Sequence, residues 1–148
     1  MHAVQPPASA PVPCCSEEEV VLLVHGFYAR VRHDPLLGPV FDRHVHDWDA
    51  HLAHLVDFWS AMLRGTRRFS GAPMPRHMAL PGLSLALFER WLQLFARTTA
   101  ESGNPAMQAE ADARATLIAR RFWQRYQVEG HDVLAGTLRN PGYHGEHP

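Results

Sequence analysis

The chain has 148 residues, 46% of them hydrophobic, which suits one globular domain with a sizeable core. Fourteen Lys and Arg oppose fifteen Asp and Glu, a formal net charge of -1 with histidine neutral. That balance is far from the basic field needed to hold a phosphate backbone, so no nucleic-acid partner is expected.

Residues 1–15, MHAVQPPASAPVPCC, are rich in Pro and Ala without periodicity and predict a disordered leader. They lack the basic start and apolar run of a signal peptide. No apolar segment approaches the roughly 18 residues of a membrane span. A soluble cytoplasmic protein without a membrane partner is the simplest expectation. Cys14 and Cys15 are adjacent and cannot staple a fold, and no CxxC or CxxCH occurs. Thioredoxin-like redox chemistry and covalent c-type haem attachment are therefore excluded.

Order is expected to begin at Ser16, where SEEE fits a capping box with Glu19 reaching back to the cap. The helix that follows carries Val24 and Val31 inward and ends near Asp34, because Pro35 disfavours helical geometry before it. LLGPVF predicts a short helical turn. A second long helix spans about Asp47 to Leu63 and is broken by RGT. Residues 65–83 are crowded with Gly and Pro and leave room only for a short helical piece around PRHMAL. In LALFERWLQLFARTT, Phe88, Trp91, Leu92 and Phe95 form a helical stripe. After ESGNP, with Asn104 as cap and Pro105 opening, a further helix runs to about Tyr126, with Met107, Ala111, Ile118 and Phe122 inward. The Gly- and Pro-bearing tail from 128 to 148 is expected to fray. No stretch alternates with period two, so the class is all-α, with a folded domain over 16–127.

Residues 44–59, HVHDWDAHLAHLVDFW, hold four histidines. At roughly 100° per residue, Trp48, Leu52, Leu55, Phe58, Trp59 and Met62 share a face. His51 lies within it, about 40° from Leu55 and about 20° from Phe58. His54 points away, near Asp57, and His44 and His46 precede the helix. Zinc needs three or four converging ligands, which these positions do not supply. His51 is then either a core histidine satisfied by a carbonyl or part of an internal site.

His77, on the short helix flanked by Met78 and Leu80, is a candidate axial ligand of a haem, the alternative being a surface histidine in a loop. Tyr28, beside Phe27 on the first helix, and Trp91 on its inward stripe are core aromatics or cofactor contacts. Together Tyr28, His51 and Trp91 would bring one O–H and two N–H groups into an apolar interior. Buried polar groups demand partners, and a shared small polar ligand would serve.

These residues resemble the group III truncated haemoglobins. The resemblance rests on FYARVRHDPLLGPVF (27–41), W-x2-H-x6-FW (48–59), FSGAP-x3-H-x2-L (69–80) and F-x2-WL-x-LF (88–95), in that order. It spans about residues 17–126. The Gly-Gly pairs common in the other two truncated groups are missing. Phe69 stands where a Tyr is frequent, and the connector before Trp48 is short.

The resemblance implies a truncated globin, a two-over-two helical sandwich around a non-covalent haem b. By position, His77 becomes the proximal iron ligand, and Tyr28, His51 and Trp91 become distal residues. Phe41 packs on the haem face, and Phe27 and Leu55 line the distal pocket. Small ligands (O2, NO, CO, cyanide or peroxide) and an unidentified reductase are the implied partners. Hydrogen bonds from Tyr28 and Trp91 to bound O2, which carries negative charge, would contribute about 1.5–3 kcal/mol each. Slow O2 release then favours NO dioxygenase or peroxidase-like chemistry over transport. Two other readings stay open: a metal-binding helical protein using His44, His46, His54 and the tail histidines, and a haem-free helical interaction or sensor module.

Overall fold

In this computed structural model the described residues are 12–70 and 84–139, with side chains as far as residue 128. Among them every regular element is an α-helix. Helix α1 spans Glu17–His33, α2 Gly38–His44, α3 Trp48–Arg64, α4 Leu85–Ala100 and α5 Pro105–Arg139.

The helix ends follow from local chemistry. The Ser16 hydroxyl accepts from the Glu19 N–H while the Glu19 carboxylate accepts from the Ser16 N–H, a closed capping box at α1. Asp34, with its extended backbone, stops α1 one residue before Pro35. The Asp47 carboxylate accepts from the Ala50 N–H to open α3, and Gly65 closes it at φ 74°, a left-handed conformation that costs glycine little. Ser84 and Asn104 cap α4 and α5 in the same way.

Two expectations need correction. Helix α5 continues well past Tyr126 to Arg139, through Gly130 and Gly136. An isolated helical glycine costs only about 1 kcal/mol, and no proline occurs until Pro141. At the other end the ordered body starts before Ser16. Cys15 is buried, its carbonyl accepts from Arg64 and that of Cys14 accepts from Asn104. Burial, reinforced by the neighbouring Cys14, pushes the Cys15 thiol up to about 12. The short helix expected around PRHMAL and the leader up to residue 11 lie outside the described residues.

Helix α1 packs on α2, α3 and α4; α4 packs on α5, and α3 on α5. The result is a two-over-two arrangement, with α1 and α3 facing α4 and α5. Val20, Val24, Phe27 and Val31 line the inner face of α1 at helical spacing and are essentially inaccessible. Phe27 meets Phe95 edge-on at 5.0 Å, and Phe95 stacks on Trp59 at 5.0 Å and 26°. Each such ring contributes roughly 1.5–3 kcal/mol by leaving water.

The stripe on α4 divides. Leu87, Leu94 and Phe95 are buried, whereas Phe88, Trp91 and Leu92 keep part of their surface. On α3 the same occurs, with Leu55, Trp59 and Leu63 inside and Trp48, Leu52 and Phe58 partly open.

Two glycines predict opposite outcomes. A Cβ on Gly26, inside α1, would sit 3.7 Å from the Thr98 methyl, an ordinary contact. Gly26→Ala should therefore raise stability by about 0.5–1 kcal/mol through helix propensity. A Cβ on Gly38 would lie 2.7 Å from the Arg32 carbonyl oxygen, where backbone must move. Gly38→Ala should lower stability by about 1–3 kcal/mol. Urea unfolding midpoints of the two variants check both signs.

Candidate functional site

Adjacent residues on α1 build the first wall. Phe27 turns to the centre of the molecule, and Tyr28 turns towards α2 and α3, with only 2% of its surface exposed. Around the Tyr28 ring stand Phe27 at 4.7 Å, Phe41 of α2 at 6.0 Å, and Trp48 and His51 of α3 at 6.2 and 5.9 Å. Trp91 of α4 meets Phe27 at 5.2 Å, and its indole N–H is near enough to the Tyr28 hydroxyl to favour the ionised phenol. The sequence-predicted Tyr28, His51, Trp91, Phe27 and Phe41 thus form one cluster. Leu55, one turn beyond His51, belongs to the same buried core. His77 lies outside the described residues.

Burial raises the Tyr28 phenol well above its ordinary range, although the Trp91 hydrogen bond opposes this. It stays neutral at physiological pH. A hydroxyl that accepts from an indole still has its own hydrogen to donate. The His51 ring stands at 87° to Tyr28, with its Nε2 buried.

The other histidines do not converge. His44 and His46 are exposed, and His54 is half-buried with its ring 5.0 Å from Phe69. Among the described residues no group of three or more His, Cys, Asp or Glu is placed to hold a metal ion.

The backbones of α3 and α4 stay apart among the described residues, and the two helices meet through the Trp59–Phe95 stack. Leu52, Val56 and Phe58 of α3 and Trp91 and Leu92 of α4 pack against the core yet stay partly open. A flat, apolar group as large as a porphyrin fits such a set. Large apolar side chains would cover its faces, and the Tyr28 hydroxyl and His51 imidazole would sit beside one of them. A separate groove of about 310 Å³ runs between α1 and the α4–α5 corner. There Arg30 is already bound to Thr98 and Glu101.

A brace missed in the sequence holds the site's frame. The Asp34 carboxylate, nearly inaccessible, accepts from the Leu36 and Leu37 N–H groups and pairs with Arg90 of α4 at 2.7 Å. Lone Asp and Arg residues 56 positions apart carry no pairing signal. Arg32 and Trp48, in cation–π contact at 4.4 Å, were missed as a pair for the same reason.

Three comparisons fit this arrangement. The profile of the bacterial-like globins matches residues 15–125, so the chain belongs to that family. The group 3 truncated hemoglobin ctb of Campylobacter jejuni is 33% identical over 121 residues, 78% of this chain and 95% of that protein. The crystal structure of a group III truncated hemoglobin from Campylobacter jejuni superimposes with a TM-score of 0.71 at 32% identity. It covers 76% of this chain and 91% of that one. The resemblance to group III truncated haemoglobins is thereby confirmed, and with it a haem globin that binds small gaseous ligands. Among the described residues no helix is long and apolar enough to cross a membrane.

Burial opposes the ionisation of Asp34, but Arg90 and the two N–H groups outweigh it and hold the carboxyl below the usual range. A pKa lowered by folding stabilises the native state above about pH 4, the unfolded value. That contribution is lost as the pH falls through the folded-state value. Asp34→Asn should cost about 1.5–3 kcal/mol at pH 7 and flatten the acid limb of the stability profile. Denaturant unfolding from pH 7 to pH 3 measures both.

Proposed function

We propose that the slot between α3 and α4 holds a non-covalent haem b, with His77 as iron ligand and Tyr28, His51 and Trp91 on the opposite, ligand-facing side. Phe41, Phe27 and Leu55 supply its apolar lining. The proposed role is the chemistry of retained small ligands and not O2 carriage. Electrons come from a separate reductase, and the protein works in the cytoplasm.

The observation that supports this best is the buried, neutral Tyr28 hydroxyl grouped with the His51 imidazole and Trp91 beside the partly open apolar faces of α3 and α4. When bound, the haem supplies an iron able to hold O2, NO, CO, cyanide or peroxide. The chain's own groups do the rest. Tyr28 would donate its hydroxyl hydrogen towards the negative charge of an oxygen ligand, with the Trp91 indole N–H beside that hydroxyl. Such a bond to a charged acceptor is worth about 1.5–3 kcal/mol, which slows ligand release. Retention would suit oxidation of nitric oxide to nitrate (NO + O2 + e− → NO3−), the electron coming from the reductase.

A second reading, reduction of peroxide, draws on His51. Its imidazole lies beside Tyr28 with Nε2 buried, where it can carry a proton to or from an oxygen atom.

Purified protein reconstituted with haemin should show a Soret band that His77→Ala abolishes or shifts. Full loading with an unchanged spectrum in that variant refutes the ligand assignment. A folded, colourless protein that ignores haemin refutes the reading altogether. Tyr28→Phe and Trp91→Phe should each speed O2 dissociation by roughly ten- to hundredfold, measured by stopped flow. Unchanged rates in both remove the retention argument. Assays of NO consumption and peroxide turnover then choose between the two reactions.

A further inference from the structure

The outer side of the Tyr28–His51 pair is closed by Trp48, the first residue of α3, which has no task in the reading above. Its half-buried ring lies 5.4 Å from that of His51, at 88° to it. Arg32, exposed on the last turn of α1, holds its guanidinium carbon 4.4 Å over the Trp48 ring. Among the described residues Arg32 makes no hydrogen bond or ion pair, so the indole is its partner there. Arg32 is exposed, Trp48 and His51 are half-buried, and Tyr28, which both of their rings approach, is buried.

We infer that Trp48, clamped by Arg32, is an outer latch that sets how fast small ligands reach and leave the Tyr28–His51–Trp91 site. The inference rests on the haem-globin reading of that site. Trp48 and His51 are three residues apart on one helix, so their side chains are neighbours. The indole packs edge-on against the imidazole, so an imidazole that swings towards that side to let a ligand pass must displace it. The indole moves only by leaving the guanidinium above it. A tryptophan needed for core packing alone would be enclosed, as Trp59 is at 2% exposure. Trp48 keeps one edge in solvent and a cation on it.

A latch raises the barrier between two states without changing either. Ligand association and dissociation then slow by the same factor, and affinity stays constant. Tyr28 and Trp91 act differently, because a hydrogen-bond donor to the ligand slows dissociation and raises affinity. Arg32 is thus a positioning residue, acting through Trp48.

The test uses the full chain loaded with haem, with CO as the probe. Association is followed after flash photolysis and dissociation by displacement with NO. Arg32→Gln should raise both rates by roughly two- to fivefold, with the CO affinity unchanged. Arg32→Lys should restore most of the wild-type behaviour. Trp48→Leu should raise both rates at least as much, and Trp48→Phe serves where Leu impairs folding.

A second measurement needs no haem. Acrylamide quenching of the fluorescence lost in Trp48→Phe should increase in Arg32→Gln, because the freed indole is more accessible. Unchanged CO rates in Arg32→Gln and Trp48→Leu overturn the latch, as does a change confined to dissociation. Unchanged quenching overturns the clamp on Trp48. Failure to take up haem defeats the proposed function, and the quenching result then decides by itself whether Arg32 holds Trp48.

Discussion

Phe27 is the contact on which the rest of the arrangement depends. Its ring receives Tyr28, Trp91 and Phe95 edge-on at 4.7–5.2 Å, so one side chain of α1 sets the spacing of α1 and α4. Through Phe95 it also fixes Trp59, and with it α3. Edge-to-face packing of this kind tolerates little sliding, because the positive rim of one ring must meet the negative face of the next. With the two layers locked, Tyr28 and Trp91 have no choice but to meet.

That packing explains how two residues usually found in a core become a polar pair. Tyr28 directly follows Phe27, so it lies about 100° further round the helix, away from the ring cluster and towards α2 and α3. Its hydroxyl lies near the Trp91 indole N–H while its ring packs against Phe41 and His51. The half-open apolar edges of α3 and α4 meet this pair from either side. A haem between them would complete burial that the protein chain leaves unfinished.

Much of this was legible in the residues. Capping signals at Ser16 and Asn104, and the RGT break after the third helix, matched the observed helix ends because caps depend on nearest neighbours. The wheel singled out His51 from four histidines, since burial of a helix face is a periodic property. The end of α5 and the tethering of Cys14 and Cys15 were misread, because composition alone ranks a Gly-bearing or Pro-rich stretch as frayed. Arg64 and Asn104 hold the Cys15 and Cys14 carbonyls, and α5 continues as helix to Arg139, neither of which composition encodes.

Sequence by itself determined the helices, the inward face of each, and the short list of polar residues on those faces. Periodicity and capping are local, and the order of four short motifs already resembled one globin group. Tertiary structure decided which members of that list meet. It joined Trp91 to Tyr28, paired Asp34 with Arg90 across 56 residues, and placed Arg32 over Trp48 at the rim. These pairings depend on how helices cross, and crossing is set by the shapes of several side chains at once, which no single stretch of sequence contains.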